Sequence, residues 1–451
     1  METLRSWFNN NKIYYKNYNL LTILVAKKYL QILNENYYSM NIKLKLKKII
    51  ENLIIKYSHI FKPKILTSRI NSLANKNFYI VNFNPDEVKT FLHIHNIIKF
   101  DNNAVVGTVS KKTYKYYKML KIPVIFFDIK YKLKHDKFTF DKNFSANEFL
   151  MLHRAAALID TLEKTIIKYQ YPKTLITVQD YYYFDSIFAN FFKNKIPTIT
   201  LQHGLISKME NKDNSLWNFV FSDYIIVWGK SQKEILKYYN INESKIKALG
   251  TARYDDYFIN NINNINYNTK IIDNKILFSI QPLNLLEKDL INYMIKLIGK
   301  ITKNNEYELF LRFHPGNSKE AKKEFINSLK RENIINFKVS EEEDVIKDII
   351  SSRIVLSNRS GIAYETMLFN KPLIEYYSID NNTFDYRNAV INALDIDEII
   401  QYIDRIFKEE KFLLDVLKKQ KKFINQYFKQ PPSSKRILEF INNQSKKSGG
   451  K

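Results

Sequence analysis

A chain of 451 residues with 45% hydrophobic content is too long for one ordinary core, and predicts two domains with an appendage. The absence of cysteine excludes disulfides, thiolate metal sites and cysteine nucleophiles. The net charge of +25 comes with no helix-turn-helix, zinc-finger or RNP-like pattern, so nucleic acid is not an expected partner.

The lysine excess accompanies abundant Asn, Ile, Tyr and Phe, and reads as compositional bias over a solvated surface. Attraction to an anionic membrane surface or a polyanionic glycan is the other use of such a field.

Residues 1–75 form a basic segment with apolar positions at helical spacing, at Leu20, Ile23 and Leu24 and again over 42–55. Within it, KLKLKKIIENLIIKY reads first as a packing helix and second as a helix lying on a membrane. The apolar run 20–26 is short and followed by Lys27 and Lys28, so no signal peptide is expected. No run reaches the roughly 20 apolar residues needed to cross a bilayer. The expected location is cytoplasmic, with peripheral attachment to the inner face of the plasma membrane as the variant.

From residue 76 the rhythm changes to short β-rich runs alternating with helical windows. Strands are predicted at 78–81, 104–109, 124–127, 174–178, 198–201, 224–227 and 245–249, with helices that include 111–120, 146–169 and 231–239. Such repetition means a parallel sheet covered on both faces. The Asn-rich stretch 260–274 reads as a linker. A second set follows, with strands at 276–280, 307–313, 336–339, 354–356 and 372–375 and helices at 285–303, 319–332, 342–350 and 361–369. After about residue 395 the pattern is helical, and the tail SKKSGGK reads as disordered.

The predicted fold class is therefore α/β: two tandem Rossmann-like domains, the GT-B layout, with a helical N-terminal appendage and a helical C-terminus. The expected boundaries are a basic segment 1–75, an acceptor domain 76–259, a linker 260–274, a nucleotide-donor domain 275–430, and a C-terminal helix with tail 431–451. The ligand is expected in a cleft between the carboxyl edges of the two sheets.

Two strand-end motifs organise the second domain. LRFHP at 311–315 supplies Arg312 and His314. VLSNRSGIAYE at 355–365 supplies Ser357, Arg359, Ser360, the amides around Gly361 and, one turn on, Glu365. Hydroxyls, cations and a helix start can seat a phosphate, and the carboxylate can accept hydrogen bonds from ribose hydroxyls. Gln281, just after the strand 276–280, is a further cleft contact.

Only nine glycines occur, and four of them, Gly204, Gly250, Gly316 and Gly361, stand beside these polar clusters. In the first domain, LQHGL places Gln202, His203 and Gly204 after a strand, where His203 can act as general base or simply tie down a loop. Asp180 after the strand 174–178, with Asp185 a turn further on, can deprotonate a hydroxyl or cap the next helix. Arg253 can reach phosphate, and Asp255 can pair with it. Each of the other five histidines, His59, His93, His95, His135 and His153, lies outside any strand-end motif. No metal site is expected, because the only Asp-x-Asp, Asp395 and Asp397, reads as a helix start. P-loop and G-x-S-x-G patterns are absent.

In that order, LQHG, VWGKS, LGTARYD, RFHP and SNRSGIAYE resemble the bacterial GT-B glycosyltransferases of surface-polysaccharide assembly. These include polysialyltransferase-like capsule enzymes and, more distantly, teichoic-acid polymerases using CDP-glycerol. The resemblance covers about residues 174–376. It implies a metal-independent, inverting transfer with no cofactor, from a CMP- or CDP-linked sugar to a hydroxyl of a glycan or lipid-linked glycan. His203 or Asp180 would be the base, and His314, Ser357 and Ser360 would hold the donor phosphate. The chain departs from sialyltransferases in lacking the acidic pair before glycine that supplies the base, and in separating Ser357 from Ser360.

The alternative is a UDP-N-acetylglucosamine 2-epimerase, which shares the layout and a Ser-Gly…Glu nucleotide site at 357–365. Such enzymes carry an acidic residue two positions after the histidine of the first motif, whereas His203 is followed by Gly204, Leu205 and Ile206. Transfer is therefore expected over epimerisation. A non-catalytic, basic glycan-binding protein on a transferase fold is the third reading.

Overall fold

Short runs of Val, Ile, Phe and Thr bounded by polar turns become two sheets in the computed structural model. It describes residues 3–10, 14–25, 27–28, 64–82, 88–129, 146–181, 183–204, 206, 208, 211–259, 274–342, 344–358, 360–377 and 386–448. The chain divides into a first unit, 1–259 with 428–451, and a second unit, 260–427.

The first unit opens with a small antiparallel pair, β1 (Tyr14–Tyr15) and β2 (Tyr18–Asn19). Its main sheet is built from β3 (Lys64–Ser68), β4 (Asn77–Ile80), β5 (Ala104–Thr108), β6 (Val124–Asp128), β7 (Thr174–Val178), β8 (Thr198–Leu201), β9 (Tyr224–Val227) and β10 (Ile246–Ala248). The order across the sheet is β10-β9-β8-β7-β4-β5-β6-β3. Every pairing is parallel except that of β3 with β6.

Strands buried on both faces read as continuous apolar runs, and here alternate residues serve opposite cores. Phe78 and Ile80 of β4 pack with Leu152, Leu158 and Phe188 from the helices Ala146–Tyr169 and Tyr183–Phe192. Tyr79 and Val81 pack with Ile94 and Ile97 of Val88–Ile98 and with Ile437 and Ile441 of the C-terminal helix Ser434–Ser448.

The second unit has one all-parallel sheet of β11 (Lys275–Ile280), β12 (Glu308–Phe313), β13 (Lys338–Val339), β14 (Ile354–Ser357), β15 (Leu373–Tyr376) and β16 (Ile391–Ala393). Its order is β13-β12-β11-β14-β15-β16, the doubly wound topology. The winding reverses between β11 and β14, and in the first unit between β4 and β7. Ligands of open α/β sheets bind at the carboxyl ends of such strand pairs. The two Rossmann-like units bear out the expected fold class.

Two expectations change, and one strand was not predicted. The segment 1–75, read as helical, contains β3, which forms an edge by pairing antiparallel with a strand some sixty residues later. Local periodicity cannot show a partner that distant. β16, three residues long, gives too short a pattern to read. The C-terminal helix continues to Ser448, into the tail expected to be disordered. The stretch KLKLKKIIENLIIKY and nearly all of the linker 260–274 lie outside the described residues. Among the described residues no helix is long and apolar enough to cross a membrane.

Candidate functional site

At the switch point of the second unit, side-chain amides bind the strand-end loops together. Asn317 donates to the carbonyl of Gln281 (3.1 Å) and accepts from the N–H of Leu283 (2.7 Å). Gln281 Nε2 donates to the carbonyl of Asn358 (3.0 Å), and Asn358 Nδ2 donates to that of Tyr376 (2.7 Å). The loops after β12, β11, β14 and β15 are thus held together by neutral side-chain amides. Ser357, the last residue of β14, is 2% exposed, and among the described residues its hydroxyl has no hydrogen-bond partner. Ser360 Oγ accepts from the N–H of Ile362 (3.4 Å), and Gly361 caps the short helix Ile362–Leu368, in which Glu365 is buried. Arg359 lies outside the described residues.

His314 follows β12, and its Nδ1 accepts from the N–H of Gly316 (3.0 Å). That bond puts the proton of the neutral ring on Nε2, making the exposed edge a donor. Arg312 is used differently from the expected donor-phosphate contact. Its guanidinium bonds to Asp348 and to the carbonyl of Glu342 (2.7 Å), while Lys275 reaches the same Asp348 at 3.1 Å and Ser340 donates to it. A buried carboxylate with two cations is a structural cross-link, and Arg312 is committed to it.

In the first unit Gln202 is wholly buried and its amide is consumed. Nε2 donates to Gln232 (2.6 Å) and to the carbonyl of Gly204 (2.8 Å), while Oε1 accepts from the N–H of Trp228 (2.9 Å). Gln202 is thus a bracket for the loop after β8, where a cleft contact was expected. His203 follows it, with its ring pushed down to about 3 by burial and then by Arg253, so it stays neutral. Among the described residues, a Cβ added to Gly204 would meet no atom within 4 Å, so space opens beside this loop.

Asp180, after β7, is fully buried, and burial pushes its carboxyl up to about 6 against the pull of hydrogen bonds from Ser222. Oδ2 accepts from the Ser222 N–H (2.5 Å), and among the described residues Oδ1 has no partner. It therefore ties two loops together and does not cap the following helix. Asp185, also raised by burial, accepts from Asn82 Nδ2 (2.5 Å) at the end of β4, which joins the two strands of the switch point.

Asp255 does not pair with Arg253. Its carboxylate accepts from the N–H groups of Ser433 (2.8 Å) and Ser434 (2.6 Å), the start of the C-terminal helix. Gly250 stands beside that junction with φ of +100°, and a Cβ there would lie 2.2 Å from Ser433 Oγ, so only glycine fits. Sequence reasoning missed Asn317, Asn358, Asn82 and His93, since uncharged amides and a lone helical histidine carry no motif. Among the described residues no group of three His, Cys, Asp or Glu side chains could hold a metal ion.

The family model described as UDP-N-acetylglucosamine 2-epimerase matches residues 219–442, from just before β9, through the second unit, into the C-terminal helix. Similar solved structures include the UDP-GlcNAc 2-epimerase of Neisseria meningitidis bound to UDP-GlcNAc, with 14% identity, a TM-score of 0.51, and coverage of 82% of this chain and 100% of that one. HepE of Anabaena in complex with UDP has 14% identity and a TM-score of 0.52, covering 82% of this chain and 100% of that one. MnaA of S. aureus with UDP has 14% identity and a TM-score of 0.54, covering 82% and 96%. No curated protein matches the sequence.

At such identity the structures establish the fold, two Rossmann-like α/β domains of the GT-B kind. They also correct the sequence reading. The resemblance to polysialyltransferase-like capsule enzymes, and with it the sialyltransferase-like glycosyltransferase activity, gives way to the epimerase family model and its epimerase neighbours. The motifs RFHP and SNRSGIAYE do not by themselves separate transfer from epimerisation. The alternative weighed from the sequence, a UDP-GlcNAc 2-epimerase-like enzyme, is the one the comparisons support.

Proposed function

We propose that the protein binds a UDP-linked N-acetylhexosamine and inverts its C2, as a UDP-GlcNAc 2-epimerase-like enzyme. The observation that carries this reading is the family match over 219–442, which includes every switch-point loop of the second unit. The bound UDP and UDP-GlcNAc of the similar structures support a nucleotide sugar as the ligand. On this reading Gln281, His314, Ser357, Ser360 and Gly361 face the diphosphate, and Glu365 takes the ribose hydroxyls.

The C2 hydrogen of such a sugar is not acidic, because its neighbour C1 is an acetal carbon. Its removal is feasible when the C–H pair forms a C1=C2 bond as the C1–O pair leaves with UDP. Return of the proton to the opposite face, with re-addition of UDP at C1, completes the inversion. Protons and UDP leave and return in equal number, so the balance calls for no redox cofactor and no glycan acceptor, and the chemistry needs no membrane attachment.

Proton NMR of UDP-GlcNAc incubated with the protein in D2O tests the reading. Deuterium at C2 together with the C2 epimer is expected. A sugar that keeps its C2 proton and configuration overturns it.

A further inference from the structure

Arg253 is 7% exposed, and among the described residues no carboxylate pairs with it. Its guanidinium lies over the Trp228 ring, 5.1 Å from the centroid, and Nη2 donates to the carbonyl of His203 (2.5 Å). Nε has no partner. A buried cation without a counter-charge is costly, and its retention points to an anion supplied from outside.

His93 adds an independent observation. Its ring is completely buried, and Nδ1 accepts from the N–H of Ala252 (3.1 Å), the residue next to Arg253. Burial first, then Arg253 and His203, push the ring well below the usual histidine range, so it is neutral with its proton on Nε2. That Nε2 also has no partner among the described residues. Among the described residues, Arg253 Nε and His93 Nε2 are thus two buried donors without acceptors, the first on an unpaired positive charge, near the carboxyl ends of β8, β9 and β10.

We propose that the first unit carries an oxyanion site, built by Arg253 and His93, that receives the phosphate or carboxylate group of a ligand. The guanidinium fork matches either group, and the His93 Nε2–H supplies a second, uncharged donor. This site goes beyond the epimerase reading and does not rest on it.

The test is calorimetric titration of the whole protein, at saturating UDP, with sodium phosphate and separately with sodium glucuronate. Saturable binding of either is expected, and which one binds names the group. Arg253→Gln should weaken it at least about tenfold, with Arg253→Lys in between because the charge stays and the fork is lost. Should Arg253→Gln fail to fold by circular dichroism, His93→Gln carries the test and should also weaken binding. The proposal is overturned if the wild type binds neither anion, or if the folded variants bind as tightly as the wild type. A UDP titration of the same samples reports on the second unit separately, so its failure counts against the epimerase reading and leaves this one standing.

Discussion

Asp255 accepts four hydrogen bonds from Ser433 and Ser434, from both backbone N–H groups and from the Ser434 hydroxyl, and so anchors the C-terminal helix to the loop after β10. Asp255→Asn places an amide donor against these donors and removes the charge that strengthens them. We expect a loss of about 3 kcal/mol of stability, read as a lower urea midpoint. An unchanged midpoint means that other contacts hold the helix.

In the second unit, Asp348 compensates Lys275 and Arg312, all three side chains being largely buried. Asp348→Ala leaves two cations uncompensated and should cost about 3–5 kcal/mol. A thermal melt that moves no more than that of a surface control refutes this.

Asp180 sets a pH dependence of a particular sign. Its folded-state value is raised from 3.8 to about 6, chiefly by burial. Between those values the folded protein holds a proton that the unfolded chain has released, so unfolding free energy falls as pH rises. The cost is absent below the lower value and complete above the higher one, where it amounts to about 3 kcal/mol. Asp180→Asn should flatten urea midpoints over that interval and raise stability at neutral pH, while Asn Oδ1 still accepts from Ser222. Parallel midpoint curves for wild type and variant contradict the assignment.

The core strands were legible because β4, β5, β7, β8 and β14 are apolar on both faces, and no helix-period pattern fits them. β3 escaped because its evidence lies in β6, beyond any local window. The residues after β8 in the first unit, and after β11, β12 and β14 in the second, were legible as strand-end positions, since Gly and Pro punctuate them. What each side chain does there was not visible. Arg312 looked like a phosphate ligand until its partner, thirty-six residues on, was placed beside it. Asp255 looked like a partner for Arg253, though the groups that donate to it come from the far end of the chain. Charge and spacing name a residue's chemistry, while the counter-group that uses it is a tertiary fact.

The core of the first unit is closed by Ile437 and Ile441, which the ribosome adds only after all of 260–427 has been made. Vectorial synthesis therefore delivers a complete second unit while one face of the first sheet still lacks its last helix. Until then the part of that face covered by Ile437 and Ile441 remains open to water or to a chaperone. A nascent chain halted near residue 427 would present that apolar face, and would be the form most prone to aggregate.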